Sequence, residues 1–416
     1  MYVCRHRSAV IAPGLALAVG LSAPLVALAS IHDYSPPPAP GETYGVADFR
    51  LFVPDDAAVV RGVLCRIAPH LADSRPEVGD PALQQLCAGE DFALLGARLD
   101  DVGMETGIGD ALLRTLAAFA AESGHPELAF TTCYFEGYSW GGQFAYHFTV
   151  WRPDRVIGFV TMKGGFHRTD PAGDAILVPG YLFIGENDLP YRIENLTAIF
   201  EAHRPLGARW ALAVQPGAAH EPVTDRGLLD GYFQTVSRLR LPEAIPPGEV
   251  PALATIPEPD SWLGDRARLV IGSWDCYDAA ADSASWLPSR DTAGDWQTFV
   301  TAGAMNDTIS CATPVAAAPR AAIRLLPNRP NPFNPATEIA FALPGEAGAS
   351  RHAVLQIVDA RGRLVRTLVD GALAAGWHRV TWDGRDGAGR VVTAGMYVYR
   401  VTTIGQSAAG KMVLLK

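Results

Sequence analysis

Cysteine and charge are both scarce in this chain of 416 residues, and each scarcity removes a class of function. Six cysteines are present and none forms a C-x-x-C pair, so the paired thiolates of zinc sites and thioredoxin-like redox centres are missing. Lys and Arg number 34 against 44 Asp and Glu, for a formal net charge of -10. No basic cluster stands out against that acidic background, which excludes a partner held through its phosphate backbone, nucleic acid above all. Charged residues make up only 19% of the chain and apolar ones 49%, a balance that argues for packed structure and against wholesale disorder. The length exceeds what one hydrophobic core usually organises, so two or three domains are expected.

What is present begins with a leader. Arg5, His6 and Arg7 give a basic start, residues 9–28 are almost wholly apolar and small, and Ala27-Leu28-Ala29 reads as an A-x-A cleavage site. Residues 1–29 are therefore expected to be a signal peptide, leaving a mature chain from Ser30 with no stable transmembrane span. Export sets an oxidising context for the remaining five cysteines, and an odd number leaves a free thiol or an intermolecular bond. Cys65 and Cys133 lie in apolar strand-like runs and are expected as buried thiols, whereas Cys276 and Cys311 flank a loop-rich stretch and are candidates for a bridge.

Residues 30–45, with Pro36, Pro37, Pro38 and Pro40, read as an extended spacer. From 46 to 240, strand-like runs at 49–53, 59–67, 92–97, 132–135, 156–162, 176–184 and 210–214 interleave with helical patterns at 81–87, 109–122, 140–151 and 191–202. Such alternation builds βαβ units, hence a mostly parallel sheet with helices on both faces. Pro242, Pro246, Pro247, Pro251, Pro257 and Pro259 mark a linker over 241–260. A Trp-rich extension over 261–313 holds Trp262, Trp274, Trp286 and Trp296 and is expected to pack them on the preceding domain; an exposed polymer-binding surface is the alternative. A second linker spans 314–322. From 323 to 416 the texture becomes all-β, with runs at 353–359, 364–369, 377–382, 396–402 and 412–415 separated by Gly and Asp, as in a small sandwich.

The sharpest chemical signal is Gly137-Tyr138-Ser139-Trp140-Gly141, placed where a strand pattern gives way to a helical one. That is the setting of a nucleophile elbow, whose tight turn leaves no room for side chains at the two glycines and projects the serine near a helix N-terminus. A serine hydroxyl is a weak nucleophile without a base, and the base needs an orienting carboxylate. In this fold the order along the chain is Ser, acid, His, which Ser139, Asp188 and His220 satisfy. Glu186 competes for the acid and is not separated from Asp188 by position alone. His167 breaks the order, and His147 and His203 fall within helical patterns. For the oxyanion, Trp140 supplies one N–H; the second is expected from His70 or Leu71, because Pro69 has none. No cofactor or metal is required.

Gly-Tyr-Ser-Trp-Gly-Gly at 137–142, Phe-Ile-Gly-Glu-Asn-Asp at 183–188 and Gly-Ala-Ala-His at 217–220 resemble the secreted α/β-hydrolases of the polyhydroxybutyrate-depolymerase and feruloyl-esterase kind. The resemblance implies an α/β-hydrolase fold over 46–240, the triad Ser139, Asp188 and His220, with Asp188 preferred to Glu186, and cleavage of an ester substrate, possibly polymeric, through an acyl-enzyme. The family's glycine-rich oxyanion loop is replaced here by Ala68-Pro69-His70. A peptidase of the same fold and a non-catalytic polymer-binding scaffold are the rival readings. At the other end, Leu326-Pro327-Asn328-Arg329-Pro330-Asn331-Pro332-Phe333-Asn334-Pro335, Trp382-Asp383-Gly384, Gly395-Met396-Tyr397 and the closing Lys411-Met412-Val413-Leu414-Leu415-Lys416 resemble the type IX secretion sorting domain. That domain is similar to the immunoglobulin-like fold of the flagellar hook-capping protein. It implies the secretion machinery as a partner and a location outside the cell or on its outer surface.

Overall fold

The computed structural model describes residues 30–304, 307–309, 323–343, 350–359, 363–403 and 406–415. The expected leader over 1–29, the linker over 314–322 and Cys311 lie outside them. The chain divides into two compact units: residues up to Trp274 together with Ala279–Thr308, and Asp275–Asp278 together with Ile309–Lys416.

The first unit is built on an eight-stranded mixed sheet flanked by helices, an α/β-hydrolase fold. In chain order its elements are β1 (Ser30–Tyr34), β2 (Ala47–Val53), β3 (Gly62–Ile67), α1 (Pro81–Ala88), β4 (Phe92–Leu99), α2 (Ile108–Ser123), β5 (Cys133–Tyr138), α3 (Trp140–Trp151), β6 (Val156–Met162), β7 (Gly180–Gly185), α4 (Pro190–His203), β8 (Trp210–Gln215) and α5 (Arg226–Arg240). The sheet runs β1-β2-β4-β3-β5-β6-β7-β8. Its first two pairings are antiparallel and the rest parallel. Strands β6 and β7 are buried along their whole length, because helices cover both faces and leave no polar side for alternation. One core packs α2, α3 and α4 on one face through Phe119, Phe144 and Phe200. The other packs α1 and α5 through Leu83, Tyr232 and Phe233.

Three stretches differ from the sequence reading in physically simple ways. Residues 30–34, read as the start of a spacer, form an antiparallel backbone ladder with β2 that leaves their side chains alternately half-buried and exposed, and Arg50 donates to Asp33. Strand β7 starts only at Gly180, since Gly173–Leu177 is a short 3-10 turn. Residues 241–260 are tied to the first unit by arginines that donate to its backbone carbonyls: Arg240 to Ala254, Arg209 to Ile256 and Arg61 to Pro242. The buried Glu258 at its end pairs with Arg204 and Arg209.

The Trp-rich stretch adds β9 (Trp262–Gly264), β10 (Ile271–Ser273), β11 (Ser285–Leu287) and α6 (Arg290–Val300) to the same unit. Trp286 and Trp296 are fully buried. Trp296 Nε1 donates to the Leu212 carbonyl at 2.9 Å, and the Ser285 hydroxyl bonds both the N–H and the carbonyl of Leu212. These side chains satisfy backbone groups that edge strand β8 would otherwise expose.

The second unit contains β12 (Arg324–Leu325), β13 (Thr337–Leu343), β14 (Ser350–Asp359), β15 (Leu364–Ala374), β16 (Gly376–Trp382), β17 (Gly395–Thr403) and β18 (Gln406–Leu414). They form two antiparallel sheets, β12-β13-β16 and β15-β14-β17-β18, of an immunoglobulin-like domain. Inward residues Ile339, Phe341, Leu355, Ile357, Trp382, Tyr399 and Val401 fill the core. Among them, Tyr399 turns its hydroxyl to the Leu326 carbonyl at 2.7 Å.

Candidate active site

The end of β5 and the start of α3 place Ser139 in a backbone conformation of φ 53°, ψ -116°, outside the allowed regions for an ordinary L-residue. Such strain costs on the order of 1–3 kcal/mol and persists only where the surroundings impose it. Here the neighbouring glycines make the turn possible. A Cβ on Gly137 would lie 2.1 Å from the Gly141 carbonyl oxygen, and one on Gly141 would lie 2.0 Å from that of Ile67. The Ser139 N–H is anchored to the Met162 carbonyl at 2.7 Å. Its side chain is thereby lifted above the C-terminal edge of the parallel strands, where such sheets collect functional groups.

Strands β7 and β8 bring the partners to the same edge. His220 Nε2 lies 3.0 Å from Ser139 Oγ, and His220 Nδ1 lies 3.0 Å from Asp188 Oδ2. The loop holding His220 is fixed on several sides: Tyr138 donates to the His220 carbonyl at 2.5 Å, and the Ala219 N–H meets the Glu221 carboxylate. The loops approach so closely that a Cβ on Gly185 would lie 2.2 Å from the Ala219 carbonyl oxygen. Asp188 is buried, and its Oδ1 accepts from the Leu189 N–H at 2.7 Å and from Arg192 at 2.9 Å. Burial alone raises its pKa, but the hydrogen bonds from His220, Arg192 and Leu189 outweigh burial and hold the carboxyl below its ordinary range. An ionised Asp188 fixes the tautomer in which Nδ1 carries the proton and Nε2 faces the serine.

The competition between the two acids is decided by where Glu186 points. Its Oε2 accepts from the Gly217 N–H at 2.6 Å, bracing the His220 loop from below, while Asp188 alone bonds the imidazole. The other histidines have structural partners. His167 is buried between Thr161 and Asn195, with its pKa pushed down to about 3 by burial. His147 bonds the Val102 carbonyl, and His203 the Ile199 carbonyl.

Leu71 requires a correction. Its backbone adopts φ 56° and its N–H donates to the Leu99 carbonyl at 3.1 Å, so it is not available as an oxyanion donor. Trp140 occupies the first position of α3, where backbone N–H groups have no intrahelical acceptor. The His70 ring packs edge-on against the Trp140 ring, with centroids 4.0 Å apart, which places the loop after β3 beside the nucleophile.

Sequence reading missed two charged groups here. Arg192 was legible in retrospect, four residues after Asp188 at the start of a helix. Lys163 follows β6 with φ 56° and is fully buried; its Nζ has no hydrogen-bond partner among the described residues and lies 3.9 Å from Glu221 Oε1. Burial lowers its pKa.

This arrangement is a Ser-His-Asp catalytic triad, the apparatus of a serine hydrolase. The other unit is recognisable by family. Residues 331–407 match the FlgD Ig-like domain. No curated protein matches the chain. Among solved structures, the chain is similar to a ferulic acid esterase, 11% identical, covering 50% of this chain and 97% of that one with a TM-score of 0.36. It is similar also to an acetyl xylan esterase from Aspergillus awamori, 10% identical, over 49% and 99% of the two chains with a TM-score of 0.37. A third likeness is to PorZ, a surface component of the type-IX secretion system of Porphyromonas gingivalis, 20% identical over 22% of this chain and 11% of that one, TM-score 0.17. Identities this low say nothing of what this chain acts on.

Proposed function

We propose that the protein is an exported hydrolase of carboxylic esters, with Ser139, His220 and Asp188 performing acyl transfer to water. The reading rests on one observation: the Ser139–His220–Asp188 relay is continuous at 3.0 Å for each bond. Ser139 Oγ attacks the ester carbonyl as His220 Nε2 takes its proton, and Asp188 stabilises the imidazolium that forms. The Trp140 N–H, with that of His70 as second donor, faces the developing oxyanion. Collapse of the tetrahedral intermediate breaks the bond to the alcohol, which leaves with the proton from His220. Water then attacks the acyl-enzyme, giving its proton to His220, and the acid departs as Ser139 recovers its hydrogen.

Export is supported by the basic-then-apolar leader at 1–29 and by the C-terminal motifs from Leu326 to Lys416, which suit a sorting domain recognised by secretion machinery. Among the described residues no helix is long and apolar enough to cross a membrane. Hydrolysis of p-nitrophenyl butyrate by the purified protein, lost in Ser139→Ala, supports the enzymatic reading; equal rates for the two proteins overturn it.

A further inference from the structure

Two costs meet at Lys163. Its backbone is left-handed, φ 56°, in a region that residues with a Cβ seldom adopt, and its side chain is fully buried although it ends in an ammonium. Among the described residues Nζ has no hydrogen-bond partner, and its ion pair there is with Glu221, whose Oε1 lies 3.9 Å away. A strained residue with a poorly satisfied charge persists only where its surroundings impose it, and such residues gather at functional sites.

The surroundings of Lys163 are the supports of the triad. It directly follows β6, its N–H donates to the Phe183 carbonyl of β7 at 2.8 Å, and the carbonyl of Met162 before it accepts the Ser139 N–H at 2.7 Å. Its other end reaches Glu221, the residue after His220, whose carboxylate accepts the Ala219 N–H at 3.0 Å and so closes a turn around the histidine. One side chain thus joins the strand edge that anchors the nucleophile to the loop that carries the base. Resting on the serine-hydrolase reading above, we infer that Lys163 is a positioning residue for His220: its ammonium draws the Glu221 carboxylate inward and holds the imidazole at bonding distance from Ser139.

A bridge made by charge is undone by titration. Burial holds the Lys163 pKa below the ordinary 10.5, with Glu221 and Asp188 opposing the shift. Below that lowered value the ammonium is present and the bridge intact; above it the amine is neutral and Glu221 loses its partner. The charges facing Lys163 come from both catalytic loops, Glu221 after β8 and Asp188 after β7, and Asp188 is already bonded to His220 and to Arg192 of α4. Tyr138, at the end of β5, also lies near these carboxylates and bonds the His220 carbonyl, but burial raises its pKa, opposite to the shift at Lys163.

The test follows kcat and KM for p-nitrophenyl butyrate over roughly pH 6 to 10.5, corrected for spontaneous hydrolysis and for the amount of folded protein. Lys163→Met, which keeps the length and removes the charge, is expected to lower kcat at neutral pH by about ten-fold with KM little changed. The wild type loses the same factor as pH rises through the Lys163 value and converges on the variant, which shows no such fall. Glu221→Gln, which keeps an acceptor for the Ala219 N–H, lacks the fall as well, and the double variant is no slower than the slower single one. Tyr138→Phe retains the fall. Glu221→Gln alters a half-exposed side chain, so its profile against the wild type decides the matter even where Lys163→Met does not fold. Wild-type kcat in Lys163→Met, an alkaline fall that survives in Glu221→Gln, losses that multiply in the double variant, or a fall abolished by Tyr138→Phe alone overturns the inference and leaves the hydrolase reading standing. Absence of any Ser139-dependent turnover overturns both.

Discussion

The two units bury different kinds of side chain. The first encloses Glu136, Lys163, Asp188, Arg204, Arg209 and Glu258, while among the described residues of the second the buried polar side chains are the neutral Asn328, Thr337 and Thr403. In the immunoglobulin-like unit, charge stays on the surface in pairs such as Arg363–Asp359 and Arg366–Asp383, where solvent screens it. A buried charge is costly unless its partners are held in place. The first unit accepts that cost at Asp188 in the triad and again where Arg204, Arg209 and Glu258 tie down residues 241–260, and the second, an apolar sandwich, has no corresponding arrangement among its described residues. Perturbing charge should therefore damage the first unit and spare the second.

The largest expected effect is on chemistry. Asp188→Asn keeps the shape of the acid but frees the imidazole to adopt the wrong tautomer, and kcat is expected to fall by about 10⁴-fold while calorimetry shows both units folded. Next comes Glu136, which sits on β5 with its carboxylate fully buried between Arg66 and Arg226. Burial alone raises its pKa, yet the two guanidiniums outweigh it and the folded-state value lies below the ordinary 4.5. The stability it contributes is thus present above the unfolded value and lost as pH falls through the lower folded one. Glu136→Ala, which leaves two arginines facing each other, should cost the first unit about 3–5 kcal/mol at neutral pH. The same substitution should flatten that unit's loss of stability on acidification, with the second unit's transition unmoved. A shift of both transitions together breaks the comparison.

Much of the active site was readable from the chain because its residue types and order are dictated by chemistry. Ser139 sits in a turn only glycines permit, and Asp188 and His220 each follow an apolar strand. The choice between Asp188 and Glu186 was not readable by position: the two are separated by one residue, and only the loop geometry turns Glu186 toward Gly217. Leu71 misled because its left-handed backbone, invisible in sequence, directs its N–H to Leu99. Strand β1 was hidden beside a proline run, and Ser-Ile-His-Asp-Tyr acquires its alternation only when paired with β2. Helix α5 is not evident in the sequence although Leu229, Tyr232, Phe233 and Val236 have helical spacing, since Gly227 and Gly231 interrupt it and the apolar Leu239 lies on its exposed side. The expected strand runs of the second unit fall on β14 to β18, with Leu415 alone beyond a strand end, because short alternating strands between Gly and Asp turns declare themselves locally.

Smaller effects sharpen the contrast. Arg192→Ala removes one of two donors to Asp188 Oδ1 and should lower kcat by roughly ten-fold, a loss of about 1.4 kcal/mol in the transition state, with KM little changed. Arg363→Ala breaks an exposed pair in the second unit and should alter its stability by no more than about 0.5 kcal/mol, read from its own thermal transition.

The relay itself is tested most directly by a fluorophosphonate, which phosphonylates a serine only where a base activates it. Peptide mapping after brief exposure should find the adduct on Ser139, formed at least about a hundred-fold faster than in His220→Ala. Labelling spread over other serines, or a Ser139 rate indifferent to His220, contradicts the account.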